Sequence, residues 1–304
     1  VKPRIAVLGS INMDLMIRCP ILPRPGETIA AESSVEICGG KGANQAVAAA
    51  RAGGNVTMIG RLGDDAFNSR LRQNLHNDGI DTQHVLKTPD CPSGLAVVAV
   101  EHSGENSILL VPGANALLSP ADVQNARTVI ESSDALLVQL EIPTDTVAAA
   151  LDIANSAGVR VILDPAPAPR VWVTEFNKVD LLCPNESEAA VISGSPVTNL
   201  QQAALVAAQL QNQIRGDVII TMGEEGSVLC TQQGTTTVPA FPTNPVDTTG
   251  AGDAFAGALA VHWAGHNDLA AAVRFANAAG ALATTRPGAQ SGMASQTEIE
   301  SLQS

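Results

Sequence analysis

The chain has 304 residues, 45 % of them hydrophobic and 15 % charged, with a formal net charge of −13. That length accommodates one large α/β domain with an appendage. The acidic surplus repels polyanions and anionic lipid, and 2 % aromatic residues with no tyrosine leave few rings on which bases could stack, so neither nucleic acid nor membrane is expected as a partner.

In chain order, strand-like runs alternate with helix-like ones. RIAVLG (4–9) leads through a glycine-rich turn to a helix over 41–53, then VTMIG (56–60) and a helix over 64–79. Helices over 119–132 and 143–158 flank ALLVQL (135–140), and RVILD (160–164) and DLLCP (180–184) follow. Helices over 185–193 and 199–213 precede VIITMG (218–223), and the C-terminal part is read as helices over 267–284 and 294–304. Continuous apolar strands separated by helices predict an α/β fold with a doubly wound, mainly parallel sheet and helices on both faces. Two regions break the rhythm: 12–38 reads as two strands about a proline-rich turn, and 94–111 as a hairpin turning at Ser103–Asn106. These predict a small antiparallel β-lid (12–38 and 94–111) on a main domain made of 1–11, 39–93 and 112–304. The five cysteines (19, 38, 91, 183, 230) are scattered, odd in number and without a CxxC pair, which predicts reduced thiols. His262 and His266 lack an HExxH context, so zinc is not expected. The opening VKPRIAVLGS does not read as an export signal and no apolar run reaches the ~18 residues of a membrane span, so a cytoplasmic location is expected.

Three segments carry chemistry. In GGKGANQ (39–45), Gly39, Gly40 and Gly42 allow close approach of backbone to a ligand, and Lys41 and Asn44 add donors at a helix start. The same turn would also serve simply to pack a helix on a sheet, and it is not the GxxxxGK[ST] phosphate loop. In LGSINMD (8–14), Asn12 and Asp14 are two apart and share one side of an extended segment, an arrangement suited to adjacent sugar hydroxyls. GxGxxG is absent, so NAD is not expected. Glu141 ends another apolar strand at the same sheet edge, where a carboxylate needs polar company. Finally, VDTTGAGDAF (246–255) sets bare backbone at a helix start, where free N–H groups bind anions. Helix capping by Asp253 is the competing reading, but it leaves both glycines unexplained.

With GGKGANQAVAAARAGGNVTMIGRLGDD (39–65) and DTTGAGDAFAGAL (247–259), the chain resembles the ribokinase-like (PfkB) carbohydrate kinases. The likeness extends from GSINMD through PGETI (25–29), VPGANALLSP (111–120), QLE (139–141) and PNESE (184–188) to TRPGAQ (285–290). The resemblance implies a sugar kinase that uses ATP and Mg²⁺ to phosphorylate the 5-hydroxyl of D-ribose. It makes Asn12, Asp14, Gly40, Lys41, Asn44 and Glu141 the sugar contacts, Asp253 the base, and Gly250, Ala251 and Gly252 the anion hole. Asn185, Thr221, Gly223, Gly226, Gly252 and Asn277 correspond to the ATP side, and Glu188 of the NxxE pattern to a water-mediated Mg²⁺ position. Asp247, Thr249, Ala283, Arg286, Gly288 and Gly292 correspond to a site for K⁺ or another monovalent cation. The family often has Ser where this sequence has Gly292; a water or Ser291 would then complete the set. A homodimer through the β-lid is implied as well. The alternatives are a related kinase for deoxyribose, another sugar or a nucleoside, and a non-catalytic sugar-binding protein. The last would be expected to lose the base or the anion hole, and this sequence keeps both.

Overall fold

The structure, a computed structural model, describes residues 1–103 and 105–304. In its first strand, Ile5 and Val7 enter one apolar cluster and Ala6 and Leu8 another, all four sealed from solvent. A strand apolar on both sides has to lie inside a sheet covered on both faces. The strands are β1 (Arg4–Leu8), β2 (Asn12–Cys19), β3 (Ser33–Gly39), β4 (Asn55–Leu62), β5 (Asp81–Lys87), β6 (Gly94–Glu101) and β7 (Asn106–Val111). They continue as β8 (Ala135–Val138), β9 (Arg160–Leu163), β10 (Leu181–Leu182), β11 (Asp217–Thr221), β12 (Ser227–Thr231) and β13 (Gly234–Val238). The helices are α1 (Lys41–Arg51), α2 (Asn68–Asn77), α3 (Pro120–Asn125), α4 (Arg127–Ser132), α5 (Thr144–Ala157) and α6 (Glu186–Ser193). After them come α7 (Leu200–Gln211), α8 (Ala251–His266), α9 (Leu269–Ala283), α10 (Ala289–Gly292) and α11 (Gln296–Gln303).

A nine-stranded sheet runs β13-β12-β11-β10-β9-β8-β1-β4-β5, parallel from β11 to β5 and closed at the other edge by the antiparallel β12 and β13. Helices α1, α2, α8, α9 and α11 cover one face, and α3 to α7 the other. The smaller sheet has the order β3-β2-β6-β7, with antiparallel outer pairs and a parallel β2–β6 pair at its centre. Its register sets Asp14 between Ile37 and Ala96. Gly104, inside the expected hairpin turn, lies outside the described residues.

Several elements differ from expectation for local reasons. The helix expected over 119–132 is two helices, because the Ala126 N–H divides between the Asp122 and Val123 carbonyls and tightens the turn. Residues 64–67 precede α2 as a turn, since the Asp65 carboxylate accepts from Phe67 N, Asn68 N and Ser93 N. Strands β5, β12 and β13 were not anticipated; β13 (GTTTV) is a polar, exposed edge without an apolar run.

Candidate active site

From β1 the chain winds outward to β4 on one side and to β8 on the other, so the carboxyl ends of β1 and β8 form the switch point of the sheet. Ser10 and Asn12 follow β1; Gln139 and Glu141 follow β8. Glu141 Oε2 accepts from Ser10 Oγ at 2.6 Å and Lys41 N at 3.4 Å, which ties both strand ends to the start of α1. Gly40 begins that helix with φ 90°, and a Cβ there would lie 2.6 Å from Asn12 N. Only glycine fits both constraints.

The first turns of α1 and α8 meet at Asp253, which is 6 % exposed. Its Oδ2 accepts from Asn44 Nδ2 at 2.9 Å and its Oδ1 from Gln45 Nε2 at 3.1 Å. Asn44 Oδ1 in turn accepts from Gln290 Nε2, and Gln45 Oε1 from Gln139 Nε2. Two chains of amides thus hold the carboxylate from either side. Gly250 caps α8 in the left-handed region (φ 78°), where a Cβ would strike Ala289, whereas a Cβ on Gly252 would meet nothing within 4 Å. Gly250 and Gly252 therefore present bare backbone to the cleft, while the Ala251 N–H donates to the Thr248 carbonyl at 3.2 Å.

The Gly250 and Gly252 backbone borders a 170 Å³ cavity lined also by Lys41, Asp164, Asn185, Glu188, Thr221 and Asp253. Burial would strip the Lys41 proton, but Asp253, Asp164, Glu141 and Glu188 together hold its pKa above the ordinary range. Burial raises the pKa of both Asp164 and Glu188, with Lys41 opposing. Asp14 Oδ1 is sealed without a partner, and burial, then the charges of Glu141 and Asp253, push its carboxyl from 3.8 to about 7. A Cβ on Gly39 would overlap Asp14 Oδ2, so this carboxylate too depends on a glycine.

A 740 Å³ cavity adjoins the first, sharing Asn185, Thr221, Gly252 and Phe255 with it. Thr221, Gly223, Gly226 and Asn277 line it together with Asn185 and Gly252. Asn185 and Glu188 form a reciprocal cap on α6, and only Glu188 Oε2 is used in it. Asn277 donates to the Val238 and Pro239 carbonyls, so it braces the cavity wall rather than offering a free amide. Asp247 joins two loops, accepting from Thr249 N at 2.9 Å and Gly288 N at 2.8 Å. Burial alone would raise its pKa, but these bonds hold it below the ordinary carboxylate range. The Arg286 guanidinium is paired with Glu298, and Ser291 Oγ donates back to the Pro287 carbonyl, so neither side chain faces Asp247's carboxylate as a partner. A Cβ on Gly292 would lie 2.5 Å from the Ala283 carbonyl oxygen. Among the described residues, no three His, Cys, Asp or Glu side chains cluster as a metal cage. Sequence reasoning gave no role to Gln45, Gln139, Asp164, Gln290 or Asn115. Asp164 did carry a signal, since it ends a predicted strand at the same edge as Glu141.

Residues 2–296 match the pfkB family carbohydrate kinases. The chain is 40 % identical to a ribokinase of Bacillus subtilis over 299 residues, 98 % of each chain. It is 39 % identical to a deoxyribokinase of Salmonella typhi over 288 residues, 94 % of each. The structure of Arabidopsis thaliana ribokinase complexed with ribose and ATP superposes with a TM-score of 0.90 at 31 % identity, over 99 % of this chain and 98 % of that one.

Proposed function

The chain belongs to the pfkB family of carbohydrate kinases and is a sugar kinase; on that premise, we propose that it transfers the γ-phosphoryl group of ATP to the 5-hydroxyl of D-ribose. The observation that carries this reading is Asp253, buried at the cavity wall, oriented through both oxygens and adjacent to the bare Gly250 and Gly252 backbone. In this reading Asp253 takes the hydroxyl proton as the nucleophile forms. The N–H groups of Gly250 and Gly252, with Lys41, stabilise charge on the moving phosphoryl group, and that of Ala251 joins them only by leaving the Thr248 carbonyl. Asn12, Asp14, Gly40, Lys41, Asn44 and Glu141 bind the sugar. The larger cavity, with Asn185, Thr221, Gly223, Gly226 and Asn277, holds the nucleotide.

Membership of the family implies ATP with Mg²⁺. Glu188 Oε1, with no hydrogen bond within the described chain, and the neighbouring Asp164 fit a hard divalent cation, which needs only one or two protein carboxylates beside the phosphates. Bound there, Mg²⁺ screens the phosphate charge. We assign the monovalent-cation position to the loops around Asp247, Thr249, Ala283, Arg286, Gly288 and Gly292. The close approach of Gly292 to the Ala283 carbonyl supports this, since glycine leaves that oxygen uncovered, and Arg286 would take part only through its backbone. Ribose, deoxyribose, fructose, adenosine and inosine, each assayed with MgATP with and without K⁺, test the reading. Ribose is expected to give the highest kcat/KM, and a preference for any other acceptor refutes the substrate assignment.

Asp14 makes sugar binding pH-dependent. Its ionised form accepts a hydrogen bond from a sugar hydroxyl, so KM for the sugar should rise as pH falls below about 7, by up to about tenfold per pH unit. Stability has the opposite sign: a raised folded pKa favours the folded state at low pH, and that contribution fades as pH rises from 3.8 through about 7. Asp14→Asn should flatten the KM profile; an unaltered slope rules the residue out as the titrating group.

The smaller sheet, whose strand β2 carries Asn12 and Asp14, acts as the lid in this reading. Its edge strand β7 exposes Ile108 (60 %) and Leu109 (71 %) on opposite faces. An apolar edge of this kind calls for a second copy. Light scattering should report two chains per particle, and Leu109→Arg should reduce that to one; a monomeric parent protein defeats the assignment.

A further inference from the structure

The orientation of Asn12 is set by a residue with no assigned role. Asn115 lies in the turn after β7 and is 2 % exposed. Its Oδ1 accepts from Ile11 N at 3.0 Å, and its Nδ2 donates to the Ile11 carbonyl at 3.2 Å. Backbone polarity is fixed, so this pair of bonds admits one orientation of the Asn115 amide. The same Nδ2 donates to Asn12 Oδ1 at 2.7 Å. Asn12 therefore has its oxygen consumed, and its Nδ2, which bonds to no described residue and is not sealed, is the end left for a ligand. Gly94 seals the arrangement: a Cβ there would lie 2.1 Å from Asn12 Oδ1 and 2.2 Å from Asn115 Nδ2.

We propose that Asn115 is a specificity-determining positioning residue, which locks Asn12 as a hydrogen-bond donor toward one sugar hydroxyl. The inference rests on the sugar-kinase reading of the site. It gives the Asn12–Asp14 pair complementary polarity: Asn12 gives a hydrogen bond, and Asp14, whose Oδ2 bonds to no described residue and is not sealed, takes one. A sugar lacking the hydroxyl at Asn12 leaves a buried donor unpaired, which selects against it.

The test compares kcat/KM for ribose, 2-deoxyribose, 3-deoxyribose and the matching fluoro-deoxy sugars in the parent enzyme, Asn115→Leu and Asn115→Asp, with thermal melts to establish folding. In the parent, one of the two deoxy sugars should lose about tenfold or more. Its fluoro analogue should recover part of that loss, because fluorine accepts weakly but cannot donate. Asn115→Leu frees the Asn12 amide, so the ribose-to-deoxyribose ratio should narrow at least about fivefold, with kcat for ribose less affected than KM. Asn115→Asp can only accept from Asn12, which turns Asn12 Oδ1 to the cavity and should make the fluoro sugar poorer than the deoxy sugar. An unchanged ratio in either folded variant, or a fluoro analogue no better than its deoxy parent in the unmodified enzyme, overturns the proposal. If ribose itself is not phosphorylated, the substrate reading fails separately, and the same comparison with deoxy and fluoro forms of the accepted sugar still decides the role of Asn115.

Discussion

Asp253→Asn is expected to lower kcat by at least about a hundredfold while leaving KM for the sugar within a fewfold, since general-base catalysis is typically worth 10²–10⁴. The amide keeps one oxygen, so it can still accept from either Asn44 or Gln45, and the sugar-facing side chains stay in place. What it loses is proton affinity. The second relay has to give way, because an amide nitrogen now meets an amide nitrogen there. A modest fall in melting temperature should accompany the kinetic loss, as one buried hydrogen bond is broken. Steady-state assays over a range of sugar concentrations separate kcat from KM, and calorimetric titration checks binding directly. Turnover within tenfold of the parent would remove Asp253 as the base.

What was legible in the sequence depended on how local its cause is. The strands β1, β8, β9 and β11 announce themselves because both of their sides are apolar, which is a property of a few adjacent residues. The bare backbone at 250–252 and the glycines at 39, 40 and 42 stand out for the same reason. Strand β5 (DTQHVLK), by contrast, mixes polar and apolar residues because it lies at the sheet's edge, and position in the sheet is not written in the segment itself. The relays were invisible for a stronger reason. Gln45 meets Asp253 across 208 positions, Gln290 meets Asn44 across 246, and Asn115 meets Asn12 across 103. A glutamine beside Asn44 has no periodicity to mark it, and its partners become neighbours only when β1, β8, α1 and α8 converge at the switch point. Resemblance to a family identifies residues that touch substrate, whereas the groups that orient those residues emerge from the packed geometry.

Lys41 shows how geometry also changes the meaning of a residue already singled out. Expected among the sugar contacts, it lines the 170 Å³ cavity together with Asp164, Glu188, Gly250 and Gly252, where the phosphoryl group would pass. Lys41→Met should therefore reduce kcat by about 10²–10³, comparable to the loss of a principal charge-stabilising donor, and should raise KM for ATP more than KM for the sugar. The substitution leaves Asp253, Asp164, Glu141 and Glu188 facing one another without the cation that now offsets them. Lys41 opposes the burial that raises the Asp164 and Glu188 pKa values, so without it both should rise further, and the acidic limb of the kcat/KM profile should move to higher pH. Lys41→Arg keeps the charge and should restore that limb toward its original position even if its larger head fits the cavity poorly. A sugar contact alone predicts something else: a rise in sugar KM and nearly normal kcat. The split between kcat, KM for ATP and KM for the sugar in the methionine variant decides between the two roles.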